Sequence, residues 1–259
     1  MIRKNEIMAN ARKFDVPIST IERDYVQNIL LDSLFSIQTD MAFKGGTCIR
    51  KIYISDYRFS DDLDFTLLSD LDRDEIHSIL KMTIASAGDG TGIEFQDEIK
   101  VEEHENGFEA LVYFKSISSG RHNIKIKFDI THPGKEKVLL PLNMKEIIHP
   151  YSDEVGAQIK TYSLEEMLAE KIRSIFQRTR PRDLYDVWSL WGRMEMDTVM
   201  NILVKKCKDK GVMVDPRELE TRKKDFKNAW EQSLKNQLRE VPDFEEVFSI
   251  VMRRIEDDR

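Results

Sequence analysis

Three carboxylates fall within four positions at Asp61, Asp62 and Asp64, downstream of a paired glycine, Gly45–Gly46, and of Arg58 and Ser60. If 62–68 (DLDFTLL) is a strand, Asp62 and Asp64 point to one side while Leu63 and Phe65 point into a core. Two carboxylates so placed, with no cation interleaved between them, repel unless something positive bridges them. A hard divalent ion with oxygen ligands, Mg²⁺ or Mn²⁺, is the natural bridge. Taken alone, a D-x-D more often marks a solvated strand end or turn. Asp129 shifts that balance, because it ends an alternating run (HNIKIKFDIT, 122–131) on the polar face of what reads as a sheet neighbour. Three acids converging on one sheet edge can hold two metal ions about 3.5–4 Å apart, an arrangement that activates an attacking oxygen and stabilises a leaving phosphate. The glycines then gain a role, since a strand–Gly-Gly–helix junction lets backbone N–H groups approach a triphosphate. Without the acids they would equally be a tight turn or a helix start needing no ligand.

The elements that must position these residues can be read from period and punctuation. Residues 2–14 and 19–38 are amphipathic helical patterns, the second with Ser19 or Thr20 as N-cap. MAF (41–43) is a short strand running into a helix, GTCIRKIY, and LDRDEIHSILKMTIASA (71–87) is a helix ending at Gly88. Extended runs follow at 94–105, 108–116 and 122–131. From Ser163 the period changes from two to 3.6. SLEEMLAEKIRSIFQ carries Ser163 as N-cap and Glu166 at the capping-box position, and PRDLYDVWSLW has Pro181 near its start. Helical patterns continue over 197–208, 216–238 and 243–257. A mixed α/β half therefore precedes an all-helical half, divided as 1–40 (N-terminal helices on the core), 41–162 (α/β domain) and 163–259 (helical domain).

The totals bound the class. A chain of 259 residues, 41% hydrophobic and 34% charged, suits a soluble globular protein with a charged surface. No apolar run reaches transmembrane or signal-peptide length, so no membrane association is expected. Cys48 and Cys207, at no metal-type spacing, suit a reducing cytoplasm. The net charge of −7 lies wholly in residues 1–162, with 20 Lys+Arg against 27 Asp+Glu, whereas 163–259 holds 20 of each. KIRSIFQRTRPR (171–182) gathers five basic residues and no acid, a cluster suited to phosphate or to a solvated helix end. The five histidines sit at no zinc or triad spacing, Trp188 and Trp191 read as packing residues, and no P-loop motif occurs.

These residues carry a resemblance. Gly-Gly opening a helix, D-x-D sixteen residues after Gly46 and a later strand Asp resemble the polymerase-β-type nucleotidyltransferase superfamily. More narrowly, F-K-G-G-T (43–47), R-x-S-x-D-x-D (58–64), K-F-D-I (127–130) and A-E-K-I-R…R-x-R-x-R-D-L-Y-D (169–186) resemble the AbiEii/AbiGii nucleotidyltransferase toxins. The resemblance implies an α+β, bilobed protein: a nucleotidyltransferase-type mixed sheet plus a C-terminal helical domain, with the active site in the groove. It implies Asp62, Asp64 and Asp129 as metal ligands, with Mg²⁺ (or Mn²⁺) as cofactor and an NTP as substrate. Lys44, Gly45, Gly46, Thr47, Arg58 and Ser60 would lie at the nucleotide, and Lys171, Asp183 and Asp186 would come from the helical lobe. The acceptor it implies is the 3′ end of tRNA, whose extension blocks translation. A cognate antitoxin would be encoded nearby. NMP transfer to a protein or small molecule, and a catalytically idle partner-binding member, stay open as alternatives. Nothing in the residues sets the oligomeric state.

Beside the resemblance, the residues of the helical half have their own readings. Leu164, Leu168, Lys171 and Ile175 form one helical stripe, so Lys171 either snorkels past a rim or points into a groove. Asp183, in the first turn after Pro181, suits the helix dipole, and Asp186 lies four after Arg182 in the less favourable order for an intrahelical pair. Arg178, Arg180 and Arg182 would hold a polyanionic RNA or cover a helix junction.

Overall fold

The computed structural model describes residues 2–38 and 40–257. They form two compact units, Met1–Lys137 with Leu142–Tyr162, and Val138–Pro141 with Ser163–Arg259.

The first unit is built on strict alternation. Phe108, Ala110, Val112 and Phe114 on one strand, Ile124, Ile126, Phe128 and Ile130 on the next, and Leu63, Phe65 and Leu67 on a third are all buried. The residues between them are more exposed, except Thr66, which is itself buried. Burying one face in this way fixes the register, because a one-residue slip would turn every apolar side chain outward. The strands are β1 (Met41–Lys44), β2 (Asp62–Leu67), β3 (Lys100–His104), β4 (Gly107–Lys115), β5 (Asn123–Thr131), β6 (Asn143–Glu146) and β7 (Gln158–Thr161). They form one seven-stranded sheet in the order β3-β4-β5-β2-β1-β7-β6. β2 pairs with β5, and β1 with β7, in parallel, and the remaining neighbours are antiparallel. On the buried face, the Phe65 ring lies 5.2 Å from Phe43 and 6.0 Å from Phe128, contacts that add to area burial.

Helices α1 (Lys4–Phe14), α2 (Ile18–Ile37) and α4 (Arg73–Thr91) accompany the sheet, with α2 packed against α4, β5 and β7. α2 is buried along most of its length, and its buried polar side chains anchor the loops around it. Glu22 accepts hydrogen bonds from Ser116 Oγ at 3.0 Å and the Ser118 amide at 2.6 Å. Asn28 donates to the Ile148 carbonyl at 3.3 Å, and Gln27 and Asp24 hold the loops of the candidate site. Buried polar groups need such partners, so these loops have little freedom to shift.

Several boundaries differ from the sequence reading. α2 begins after Pro17 as N-cap, not at Ser19 or Thr20, because proline's fixed φ suits the helix entry. α4 runs through Gly88 and Gly90 to Thr91 and stops at Gly92, whose φ of 77° supplies the left-handed cap. Gly88 has no positive φ, and in the last turn the Thr91 hydroxyl donates to the Ala87 carbonyl at 2.6 Å. The GTCIRKIY helix is a short turn, α3 (Gly45–Cys48), followed by a π-helical segment (Ile49–Tyr53). β6 and β7 were not anticipated.

The second unit holds α5 (Leu164–Gln177), α6 (Pro181–Leu190), α7 (Met196–Lys210), α8 (Pro216–Thr221), α9 (Lys223–Leu234) and α10 (Phe244–Asp257). The 216–238 pattern is thus two helices, interrupted at Arg222. Ser163 caps α5 as expected, but Glu166 does not close a capping box. Its buried carboxylate accepts the Leu139 and Leu140 amides at 2.8 and 2.9 Å and pairs with buried Lys206 at 2.9 Å. Charge-assisted bonds inside the unit outweigh a single bond at the cap. Among the described residues no helix is long and apolar enough to cross a membrane.

Candidate active site

Because β2 and β5 pair in parallel, Asp64 stands in register with Asp129, and Asp62 with Lys127. The row continues on both sides: Lys44 of β1 opposes Asp64, Glu109 of β4 opposes Asp129, and Glu102 of β3 opposes Glu109. Five neighbouring strands therefore present Lys44, Asp64, Asp129, Glu109 and Glu102 in one line on the face opposite the aromatic core. Like charges directly opposed on a sheet are destabilising unless a cation intervenes.

Lys127 is that cation. Its Nζ lies 2.8 Å from Asp129 Oδ2 and 3.5 Å from a Glu109 carboxylate oxygen. Burial works against its charge, but Asp129, Asp62 and Glu109 outweigh this and hold its ammonium above the ordinary lysine value. Lys127, two residues before Asp129 and so on the same strand face, and Glu109 on the neighbouring strand were both absent from the sequence-based site. Only the strand register reveals either, although the Lys-x-Asp alternation hinted at the first.

The glycines are pressed against the acids. Gly45 has a φ of 77°, and a methyl group there would stand 2.3 Å from Asp64 Oδ2. A side chain at Gly46 would stand 2.7 Å from an Arg58 guanidinium nitrogen and 3.3 Å from Ser60 Oγ. Thr47 Oγ1 donates to the Asp62 carbonyl. The structure thus brings Gly45, Gly46, Thr47, Arg58, Ser60, Asp62, Asp64 and Asp129 together in one unit. Lys44 joins them through its pairing with Asp64, its Nζ lying 5.6 Å from the Tyr162 ring centroid.

The loop carrying Arg58 and Ser60 is tied down from beneath. Gln27 Nε2 donates to the Ser60 and Asp61 carbonyls at 3.1 Å each, and Arg23 binds the Asp61 carboxylate at 2.7 Å. Arg50, from the π-helical segment, stacks 3.6 Å from the Phe59 ring centroid and donates to the carbonyls of Ser55 and Tyr57. Its other partner is Asp24 at 2.8 Å, which also takes Lys51 at 2.7 Å and the Tyr151 hydroxyl at 2.7 Å. Burial would raise the Asp24 carboxyl, but Lys51 and Arg50 outweigh it and hold it well below the usual carboxylate range. Burial lowers Lys51 to about 8 despite Asp24. π-helical segments are rare and concentrate near functional sites. This one sets two successive basic side chains inward against a single carboxylate.

In the second unit, Lys171 Nζ bonds Asp183 Oδ1 at 2.7 Å and Asp186 Oδ2 at 2.9 Å. Arg178 adds a 3.0 Å bond to the other oxygen of Asp183. Burial would raise the Asp183 carboxyl, but Lys171 and Arg178 hold it below its ordinary value. Asp183 is therefore an interior ion-pair partner rather than only a dipole complement, and Asp186 reaches Lys171. Arg180 is exposed just before α6, and Arg182 is half-buried on its first turn.

Among the described residues no three of His, Cys, Asp and Glu are drawn close enough to hold a metal ion as they stand. The chemistry of the donor set nevertheless fits a hard divalent ion. Asp62, Asp64 and Asp129 would supply oxygen ligands from one face of two paired strands, with the Gly45 backbone packed against the Asp64 carboxylate. Both cysteines are free and buried.

A mixed sheet with D-x-D on one strand, a third acid on its parallel neighbour and a Gly-Gly turn against them defines a nucleotidyltransferase-type fold. Solved structures agree on the fold. MenT4, a nucleotidyltransferase toxin from Mycobacterium tuberculosis H37Rv, superposes with a TM-score of 0.70 at 20% identity, covering 99% of this chain and 90% of that one. A candidate nucleotidyltransferase from H. pylori gives a TM-score of 0.61 at 17% identity, over 92% of this chain and 95% of that one. No curated protein matches the chain. The family model described as "Nucleotidyl transferase AbiEii toxin, Type IV TA system" matches residues 28–250. The chain belongs to that family.

Proposed function

We propose that the protein transfers an NMP from an NTP to the 3′ end of tRNA, blocking translation, with a cognate antitoxin as its partner and the cytoplasm as its location. The observation that carries the reading is the in-register pairing of Asp64 with Asp129, with Asp62 two residues before and the Gly45–Gly46 turn packed against them. Carboxylates so exposed on one strand face suit Mg²⁺ or Mn²⁺, which when bound would offset phosphate charge and polarise the reacting oxygens. The remaining contributions belong to the chain. Gly45, Gly46 and Thr47 form the turn packed against Asp64, Arg58 and Ser60, and its backbone N–H groups are proposed to meet the triphosphate. Ser60 Oγ and the Arg58 guanidinium, held beside Gly46, offer donors to its oxygens. Asp129, the more exposed acid with 52% of its side chain open, takes the proton of the acceptor hydroxyl. The hydroxyl oxygen bonds to the α-phosphorus, the bond to the β-phosphate oxygen breaks, and pyrophosphate leaves. Lys171, pre-oriented by Asp183 and Asp186, is proposed as a phosphate-contacting cation, and Arg178, Arg180 and Arg182 as contacts to the acceptor's backbone. Catalysis of this kind is mostly positioning and preorganised charge.

The test is transfer of label from each α-³²P-labelled NTP to total tRNA in the presence of Mg²⁺, with Asp62→Ala as control. Label in tRNA that disappears in the variant supports the reading. Label in protein or a small molecule, or in nothing, overturns the tRNA assignment.

A further inference from the structure

We propose that Lys127, held between Glu109 and Asp129, is a built-in counter-ion of the carboxylate face. It stabilises that face while no metal ion is bound, and it sets how tightly the face takes a divalent ion. Lys127 can have this role only if the carboxylate face takes such an ion, as proposed above.

Four observations carry it. The line Asp64–Asp129–Glu109 runs across three adjacent strands with acids directly opposed, an arrangement costly in stability without a positive neighbour. Lys127 lies one pleat away in register with Asp62, and bonds Asp129 at 2.8 Å while reaching Glu109 at 3.5 Å. Its side chain is only 21% exposed, so its charge is less screened than that of an ordinary surface lysine. The strand beneath it is fixed as well, because Arg23 Nε donates to the Lys125 carbonyl at 3.1 Å. A divalent ion drawn to Asp129 therefore meets a positive charge already bonded to one of its ligands. It must displace that lysine from Asp129 or bind against its repulsion. Glu109 gives the ammonium a second anchor when Asp129 turns to the metal. Lys127 is in this sense a positioning residue for Asp129.

A purely structural strand ion pair would alter folding stability alone, so the decisive readout is metal affinity in the absence of substrate. Mn²⁺ binding to the whole protein would be titrated by electron paramagnetic resonance, with melting temperatures recorded with and without Mg²⁺. Lys127→Met is expected to lower the melting temperature of the metal-free protein, bind Mn²⁺ about tenfold more tightly, and gain more from Mg²⁺ than wild type does. Glu109→Gln is expected to weaken Mn²⁺ binding, because Lys127 then leans on Asp129 alone. Lys127→Arg, which keeps the charge, should stay near wild type. Lys127→Gln serves if the methionine variant fails to fold. Opposite signs for Lys127→Met and Glu109→Gln separate a counter-ion from a packing defect, which would move both the same way. Wild type binding Mn²⁺ with Lys127→Met equal or weaker would overturn the counter-ion role alone. Wild type binding no more Mn²⁺ than Asp62→Ala would overturn it together with the divalent-ion reading.

Discussion

Replacing Gly45 with alanine tests whether the glycine turn serves the acids or merely makes a bend. Two costs are expected. The backbone stands at a φ of 77°, where a Cβ costs about 1–2 kcal/mol, or about 2–4 °C in melting temperature per kcal/mol. The new methyl would also sit 2.3 Å from Asp64 Oδ2. Ordinary contact begins near 3.4 Å, so the carboxylate must move by about 1 Å, and a displacement of that size in a reacting constellation costs on the order of 10²-fold in rate. Gly92 supplies a matched control: it has the same φ of 77°, but a methyl there meets nothing within 4 Å. Gly92→Ala should therefore show a similar fall in melting temperature with label transfer intact. Gly45→Ala should show that fall together with a loss of transfer of about 10²-fold. Equal transfer by the two variants would refute the reasoning, because both carry the same backbone penalty and only the Gly45 methyl meets Asp64.

Other outcomes follow from the same geometry. Asp24→Asn strands Arg50 and Lys51 as buried cations and should cost about 3–5 kcal/mol in urea unfolding; a loss below about 1 kcal/mol would show that solvent already reaches the cluster. Asp183 is held below its ordinary value of 3.8, so its contribution is complete above about pH 4 and is lost as pH falls further. In Lys171→Met the buried carboxyl should rise instead, and the stability gap between variant and wild type should narrow as pH falls through 4; a gap independent of pH would contradict the pairing. Ser60→Glu places a carboxylate beside Gly46, where it would repel a triphosphate. Transfer should fall at least about tenfold while the melting temperature stays within about 1 °C of wild type, and full activity would remove Ser60 from the nucleotide site.

What the sequence disclosed was whatever is local and periodic. The alternation of 122–131 and the D-x-D spacing were enough to place three acids on strand faces. The N-cap at Ser163 and the Pro181 start of α6 rest on chemistry within one helical turn. What it concealed depends on pairing across long separations. Glu109 and Lys127 join the acid face only because β4, β5 and β2 lie side by side in one particular register, and no spacing within any of the three strands encodes that. Glu166 matched a capping box locally, yet a buried lysine forty residues on and two amides from 139–140 claimed it. β6 and β7, four residues each at the sheet's other edge, are too short and too polar for alternation to show. Gly88 read as a stop because glycine is a poor helix former, but the burial of Ile84 and Ala87 outweighs that penalty.

The four residues Val138–Pro141 belong to the helical unit, although the chain returns afterwards to lay down β6 and β7 in the sheet. A ribosome delivers those four residues well before Glu166, which receives the Leu139 and Leu140 amides, and long before Lys206, which neutralises Glu166. During synthesis the strap therefore emerges with no acceptor, and the strands that follow it are tethered to an unfinished anchor. A nascent chain stopped anywhere short of α7 carries every acid of the carboxylate face but lacks the clamp on that strap. Cutting the gene at residue 162 would reproduce the same unfinished state, so neither unit can be lifted out intact as a continuous stretch of sequence.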